Sequence, residues 1–599
     1  MSNKFTGTAF ALCGLILSVG CSQQPAVEVA DTVYTNGRIY TVNEAQPWAE
    51  AVAVKDGRFI AVGSAEDAHA VTGKETQVVD LGGKFVMPGM IDVHTHGIDN
   101  HLPSTIQLSD GDDVDAILAE VKAYVEAHPD QEWVTFVPFG FGLFPGDNGP
   151  KELLDEVAPN TAVAIEHQSG HAYWVNSKAL ELAGITADTP EPFQGIIARK
   201  ANGEPQGGLQ ESAMRLIRAQ LPPIPEAAVR ESTEVAMGQF AAHGITATRE
   251  AGIKPDRFAI VQKIAKEGKL KTRFSIAAHW QTTLVDLPPS NDEVKAFLLA
   301  NVGKGSDVLK LDSLKVYMDG VPASHTALMK EPYSDRPDSI GMQLIPVSEL
   351  NATLVEYDAS GITVIIHTLG DRAMKEAQDA IGAAREANGN SGLRHHISHS
   401  VMIDPADFDR FKTIDAVVDF SPFFAYPGPH HDNHEKAVGK ERLDRFYPVK
   451  SLMDRGVVVA LATDYPVTQL NPFVHMESAH TRMHPFGEAP GALGVDEAIS
   501  REAAIKAYTL NPAYILGWDD RIGSIEVGKL ADMVIIDRNP LEVPAADISE
   551  TRVLTTVFGG EVIFEAGDAV ASREQSEEAR QLALARLKQH NHPCAAHIG

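Results

Sequence analysis

Two histidines one residue apart, His94 and His96, close the run Pro88-Gly89-Met90-Ile91-Asp92-Val93-His94-Thr95-His96. On an extended strand, positions two apart share a face, so both imidazoles can point at one metal ion. Ile365-Ile366-His367, His396-Ile397-Ser398-His399 and Leu461-Ala462-Thr463-Asp464 repeat the pattern, each ending an apolar stretch on an imidazole or a carboxylate. Such a group at the end of a buried strand is costly unless it is paired or bound to a metal. Lys315, in Leu314-Lys315-Val316-Tyr317-Met318-Asp319-Gly320, joins the set on one condition. A protonated amine repels a cation, so ligation requires carboxylation of the amine by CO2, giving two oxygens able to bridge two ions; an ion pair with Asp319 or another acid is the simpler account. A divalent ion held by these groups could activate water for hydrolysis, with Asp464 taking the proton and returning it to the leaving group.

Groups so far apart in sequence must be gathered by a framework. From 88 to 519 the chain alternates strand-like runs with longer helical patterns, the texture of βα units and a parallel sheet. Candidate strands lie at 134–137, 162–165, 246–248, 274–277, 313–317, 363–366, 416–420 and 457–461. Their number suits a (β/α)8 TIM barrel, whose chemistry sits at the C-terminal strand ends. No Gly-rich phosphate loop favours a nucleotide fold. Short alternating strands fill 31–87, with Asn36-Gly37 and Asp56-Gly57 as hairpin dipeptides, and the same texture returns at 520–571. Together these terminal segments are expected to form one discontinuous β-sandwich domain, with the barrel between its halves.

The 599 residues carry a formal charge of −30, which excludes nucleic acid as a partner because phosphate backbones are held by Lys and Arg. Residues 1–20 hold Lys4 as their only charge, and an apolar run leads into Ser18-Val19-Gly20-Cys21. This pattern predicts a lipoprotein signal with Cys21 as the lipidated N-terminus, a tether over 21–30, and export to the periplasmic side of a bacterial membrane. The lipid would be the sole membrane contact. With Cys13 removed and Cys21 acylated, Cys594 remains as the one thiol, so no internal disulfide can form. The segment Pro429-His430-His431-Asp432-Asn433-His434 reads as a loop over the barrel mouth with solvated histidines, and 572–599 as a charged helical tail without function.

In their order these residues resemble the amidohydrolase superfamily, specifically amidohydrolase family 3, whose members include N-substituted formamide deformylases. The resemblance also rests on Gly170-His171-Ala172, Trp174-Val175-Asn176-Ser177, His367-Thr368-Leu369-Gly370-Asp371-Arg372-Ala373, Thr463-Asp464-Tyr465-Pro466-Val467 and Gly523-Ser524-Ile525-Glu526-Val527-Gly528-Lys529-Leu530-Ala531-Asp532. It implies a divalent metal site, usually zinc, at the mouth of the barrel. His94, His96 and Asp464 would hold the more buried ion, His367 and His399 the second, and carboxylated Lys315 would bridge them. Whether one or two ions bind depends on that modification. His171 would hydrogen-bond the substrate or serve a structural role. His325 stands where members often carry Arg, and with Arg372 it is assigned to substrate binding, so the pocket's charge differs from theirs. Ser398 stands where related sequences often have Glu.

The expected activity is hydrolysis of an amide or related C–N bond, other than a peptide bond, in a small molecule, with esters or lactones as an accessible side activity. A mononuclear deaminase usually has Glu three residues after the corresponding histidine, where this chain has Gly370. A non-catalytic ligand-binding lipoprotein would not need five metal-ligand residues at strand ends. A homo-oligomer is compatible with the resemblance, since amidohydrolases often pair.

Overall fold

Eight parallel strands carry the candidate ligands in the computed structural model, which describes residues 28–567 apart from 101, 103, 104, 110, 112, 141, 281–289, 423, 424 and 488. They are β1 (Met90–Thr95), β2 (Ile245–Ile253), β3 (Arg273–His279), β4 (Leu309–Tyr317), β5 (Thr363–Thr368), β6 (His396–His399), β7 (Val417–Phe420) and β8 (Val459–Leu461), hydrogen-bonded in that order. Asp464 N–H donates to His94 O at 2.9 Å and His96 N–H to Tyr465 O at 2.7 Å, so the chain leaving β8 meets β1 and the barrel is nearly closed. Helices Pro255–Lys266, Val347–Ala359, Asp371–Asn388 and Pro472–Thr481 are among those linking or following the strands. Apolar residues such as Leu314, Val316, Val364, Ile366, Ile397, Val418 and Val459 belong to the main core, together with helix residues such as Leu350, Leu354, Ala373 and Ala377. The predicted signal at 1–20, Cys21, Cys594 and the tail 572–599 lie outside the described residues.

Two of the expected barrel strands belong elsewhere. Trp133–Phe139 and Ala162–His167 pair in parallel within a separate six-stranded sheet, ordered Thr105–Gln107, Trp133–Phe139, Ala162–His167, Ala172–Val175, Pro205–Glu211, Gly195–Arg199. This sheet is inserted between β1 and β2 and has its own core around Phe136, Phe139, Ile165 and Trp174. The barrel places instead go to β1 and β6, the two runs that end in paired histidines.

Near the ends of the described chain, Arg38–Tyr40, Trp48–Ala49 and Phe85–Pro88 share a six-stranded sheet with Met533–Ile536, Val553–Phe558 and Glu561–Glu565, where Met87 pairs with Val534. A four-stranded sheet holds Thr32–Thr35, Ala51–Lys55, Arg58–Gly63 and Gln77–Asp80. Tyr34, Val52 and Phe59 from the smaller sheet cluster with Ile39, Met533, Ile535 and Val557 from the larger. Asp56-Gly57 forms the expected hairpin, both residues at positive φ with Lys55 opposite Arg58. Asn36-Gly37 does not. Its flanking strands pair in different sheets, so the positive φ of Asn36 carries the chain from one sheet to the other.

Candidate metal centre

The C-terminal end of β1 sets the site. His94 is buried, and its Nδ1 lies 3.1 Å from Ser398 Oγ and 3.2 Å from Asp419 Oδ2. A proton on Nδ1 is thereby occupied, which leaves the Nε2 lone pair to face the barrel mouth, the arrangement a metal-binding histidine takes from an outer carboxylate. Around that nitrogen stand Lys315 Nζ at 2.9 Å and Asp464 Oδ1 at 3.6 Å. His96 Nε2 is 3.5 Å from the same Asp464 oxygen, and His399 Nδ1 is 3.8 Å from Asp464 Oδ2. The three distances to Asp464 are longer than good hydrogen bonds and suit groups sharing a cation, since ligands on a tetrahedral zinc stand about 3.3 Å apart, whereas Lys315 and His94 are at hydrogen-bond distance. The donor atoms of His94, His96 and Asp464 all lie within 4.8 Å of one another, as do those of His94, His399 and Asp419.

Asp419 is the less suitable ligand of the two acids. Its Oδ2 faces Ser398 Oγ–H at 2.8 Å and His396 Nε2 at 2.8 Å as well as His94, and its Oδ1 accepts the His399 N–H at 2.8 Å. Its lone pairs are committed to His94, Ser398 and the groups of His396 and His399 around it. Burial would raise its pKa, yet His396 and His94 hold it well below the usual carboxylate range. Asp464 behaves likewise: burial opposes ionisation, and His94, His96 and His399 outweigh it, keeping the carboxylate charged. His94 is pushed down to about 4 and His399 to about 3, mainly by burial, so both imidazoles are neutral and able to ligate.

The second half of the predicted set lies alongside. The His367 ring is 4.5 Å from His399 and 5.0 Å from Tyr317, and its buried Nε2 has no hydrogen-bond partner among the described residues. A buried, unsatisfied imidazole nitrogen beside other imidazoles fits a group that takes a metal. Burial lowers the Lys315 amine to about 8, with Asp464 and Asp419 opposing the shift. Asp319 is not its partner. That carboxylate accepts the N–H groups of Leu328 at 2.8 Å, Leu369 at 3.0 Å and Gly370 at 2.8 Å, tying the loops after β4 and β5 together. His399 and Asp464 both have positive φ, 67° and 55°, which non-glycine residues seldom adopt and which turns each side chain at its strand end.

The remaining predicted residues lie farther out. His171 comes from the inserted sheet, with its ring 5.2 Å from His367 and Nδ1 2.9 Å from Glu211 Oε2. His325 lines a cavity of about 300 Å³ between the inserted sheet and the loop after β4, where its Nε2 pairs with Asp335 at 2.9 Å. Arg372 lies in the first turn of Asp371–Asn388, 40 % exposed and 3.6 Å from Glu376. The segment predicted as a histidine loop is instead a helix, Pro429–Val438, in which His434 packs 5.7 Å from Phe446. Pro429 at its first turn is pre-set for a helix, and no β-branched residue follows until Val438.

Asp419 and Glu211 escaped the reading of ligand spacing. Asp419 carried a usable signal, an acid inside the apolar run Ala416-Val417-Val418-Asp419-Phe420. Glu211 ends the Gly-rich Pro205–Glu211, which gives no comparable cue.

The amidohydrolase family model matches residues 77–564. An N-substituted formamide deformylase of Arthrobacter pascens is 28 % identical over 90 % of this chain and 99 % of its own length. Protein LONG AFTER FAR-RED 3 of Arabidopsis thaliana is 29 % identical over 90 % of this chain and 92 % of its own. In fold, the chain is similar to an uncharacterized metal-dependent hydrolase from Pyrococcus furiosus, with a TM-score of 0.66 at 22 % identity, covering 85 % of this chain and all of the other. The strand-end histidines and acids thus sit in a chain that belongs to the amidohydrolase family.

Proposed function

We propose that the protein is a metal-dependent hydrolase of a small-molecule amide, cleaving a C–N bond other than a peptide bond in an N-acyl or N-formyl amine. The convergence of His94, His96 and Asp464, with donor atoms within 4.8 Å of one another at the barrel mouth, carries this reading. His94, His96 and Asp464 would hold one divalent ion, zinc in this reading, and His367 and His399 a second, bridged by carboxylated Lys315. Such a metal, when bound, lowers the pKa of water and polarises a carbonyl. The Asp464 carboxylate accepts the nucleophile's proton and delivers it to the leaving amine nitrogen. Lys315 has a neutral amine available near pH 8, which adds CO2 by forming an N–C bond and releasing one proton. His171 hydrogen-bonds the substrate, and His325 and Arg372 belong to its outer surroundings. The similarity to a formamide deformylase supports a C–N target.

In the same reading the two terminal sheets form one discontinuous β-sandwich domain. Residues 1–20 direct export and Cys21 carries a lipid on the periplasmic side, which mass spectrometry of the mature N-terminus tests. The central experiment counts metals per chain, before and after chelation, in a soluble form lacking residues 1–21, and screens N-substituted formamides and N-acyl amines beside esters and lactones. Close to two ions with amide turnover supports carboxylated Lys315. One ion points to a mononuclear site, and no ion after metal is added back overturns the enzyme reading in favour of ligand binding.

A further inference from the structure

The inserted sheet brings to the barrel mouth a pair of residues that no barrel strand supplies. Glu211 ends Pro205–Glu211 and His171 precedes Ala172–Val175; these strands pair antiparallel with Ala172 opposite Gln210, and the Glu211 N–H donates to His171 O at 3.1 Å. Their side chains meet across this pairing, with His171 Nδ1 2.9 Å from Glu211 Oε2 and 12 % and 4 % exposed. Glu211 holds this place at φ 50°, a costly backbone for a non-glycine residue. Its Oε1 is buried without a hydrogen-bond partner among the described residues, against Gly320 in the segment that follows β4. A Cβ at Gly320 would collide with this carboxylate and with the Thr326 hydroxyl, so the glycine makes room for the acid. On the other side, the His171 ring lies 5.2 Å from His367 and 6.2 Å from Tyr317.

We propose that Glu211 is a positioning residue for the hydrolytic reaction. It accepts the Nδ1 proton of His171 and fixes the tautomer and plane of the ring, so that Nε2 is held for the reacting amide. The inserted sheet then contributes to the catalytic apparatus. This inference rests on the hydrolytic reading of the barrel mouth.

The test uses metal-loaded protein and whichever N-substituted formamide or N-acyl amine is turned over fastest. Glu211→Ala is expected to lower kcat about 10–100-fold, the range for an outer partner that orients a catalytic imidazole, with KM and metal count little changed. Glu211→Gln, whose amide oxygen still accepts from Nδ1–H, should recover most of that loss. In a His171→Ala background, Glu211→Ala should cost nothing further, because its effect acts through the ring. Additive losses, or full activity in Glu211→Ala, overturn the proposal. If the wild-type chain hydrolyses no member of the panel, the hydrolytic reading fails by itself, and imidazole 15N spectra of histidine-labelled protein still judge the pair. At a pH above the His171 pKa, which, against the opposing effect of burial, Glu211 raises, the His171 resonance, assigned with His171→Gln, should show the Nδ1-protonated tautomer in the wild type and a mixture in Glu211→Ala; identical spectra overturn the proposal.

Discussion

At the scale of single residues, the two acids beside His94 have separate tasks that substitution can distinguish. Asp464 faces three imidazoles at 3.5–3.8 Å, longer than the 2.8 Å at which Ser398 Oγ–H and the His399 N–H donate to Asp419. Asp464→Asn is therefore expected to abolish turnover while some metal stays bound, measured by steady-state rates and elemental analysis on the same sample. Full activity in that variant removes the proposed base. Asp419→Asn should keep the proton-transfer group and instead weaken metal affinity about 10–100-fold, read by competition with a chromogenic chelator. His94, His96, Lys315, His367, His399 and Asp464 stood out in the sequence because each ends or interrupts an apolar strand, where an ionisable group is conspicuous. Glu211 did not, because it ends a Gly-rich strand without apolar alternation and its partner His171 lies 40 positions away in the sequence.

At the scale of elements, local pattern identifies βα units but not the sheet they join. Trp133–Phe139 and Ala162–His167 flank the helix Lys151–Val157 and pair in parallel, which is the texture of a barrel unit, and yet they form their own sheet. What distinguishes them is the partner of their edges, a long-range choice no window of residues encodes. The same holds for Asn36-Gly37, whose turn chemistry was legible and whose strand partners were not. Between barrel elements, Asp319 shows how the loops after β4 and β5 are fixed: it accepts three N–H groups within 3.0 Å in a buried setting. Asp319→Ala leaves those donors unsatisfied, and at about 1–3 kcal/mol for each buried unpaired group a net loss of at least about 2 kcal/mol is expected. Urea denaturation measures it, and hydrogen exchange should quicken at Leu328, Leu369 and Gly370. Unchanged exchange there would show that the three donors find other acceptors.

At the scale of the whole molecule, the terminal sheets and the barrel are joined by a contact no sequence pattern announced. Arg273, the first residue of β3, sends Nε to Asp532 Oδ2 at 2.7 Å and Nη2 to Asp532 Oδ1 at 2.8 Å, with both side chains buried. Arg273→Ala strands a buried carboxylate and should cost about 3–5 kcal/mol, more than its surface counterparts. Buried histidines set the response of the entire fold to acid. His475 and His484 lie outside the proposed metal site, and burial pushes each down to about 4; His94 and His399 are lowered mainly in the same way. An imidazole with a folded pKa below its unfolded value near 6.5 binds its proton more readily in the unfolded chain. Its stabilising contribution is complete above pH 6.5 and is lost as pH falls toward 4, to the extent of about 3 kcal/mol for a fully buried ring. The urea midpoint of metal-free protein should therefore drop steadily between pH 6.5 and 4. His475 is a clean probe, because among the described residues its Nε2 bonds the Gln469 carbonyl alone, at 2.8 Å, and its ring is fully buried. A His475→Gln chain should begin less stable at pH 7 and lose less on acidification, since glutamine has no proton to take up. Parallel pH profiles for the two proteins would show that the acid sensitivity arises at other groups.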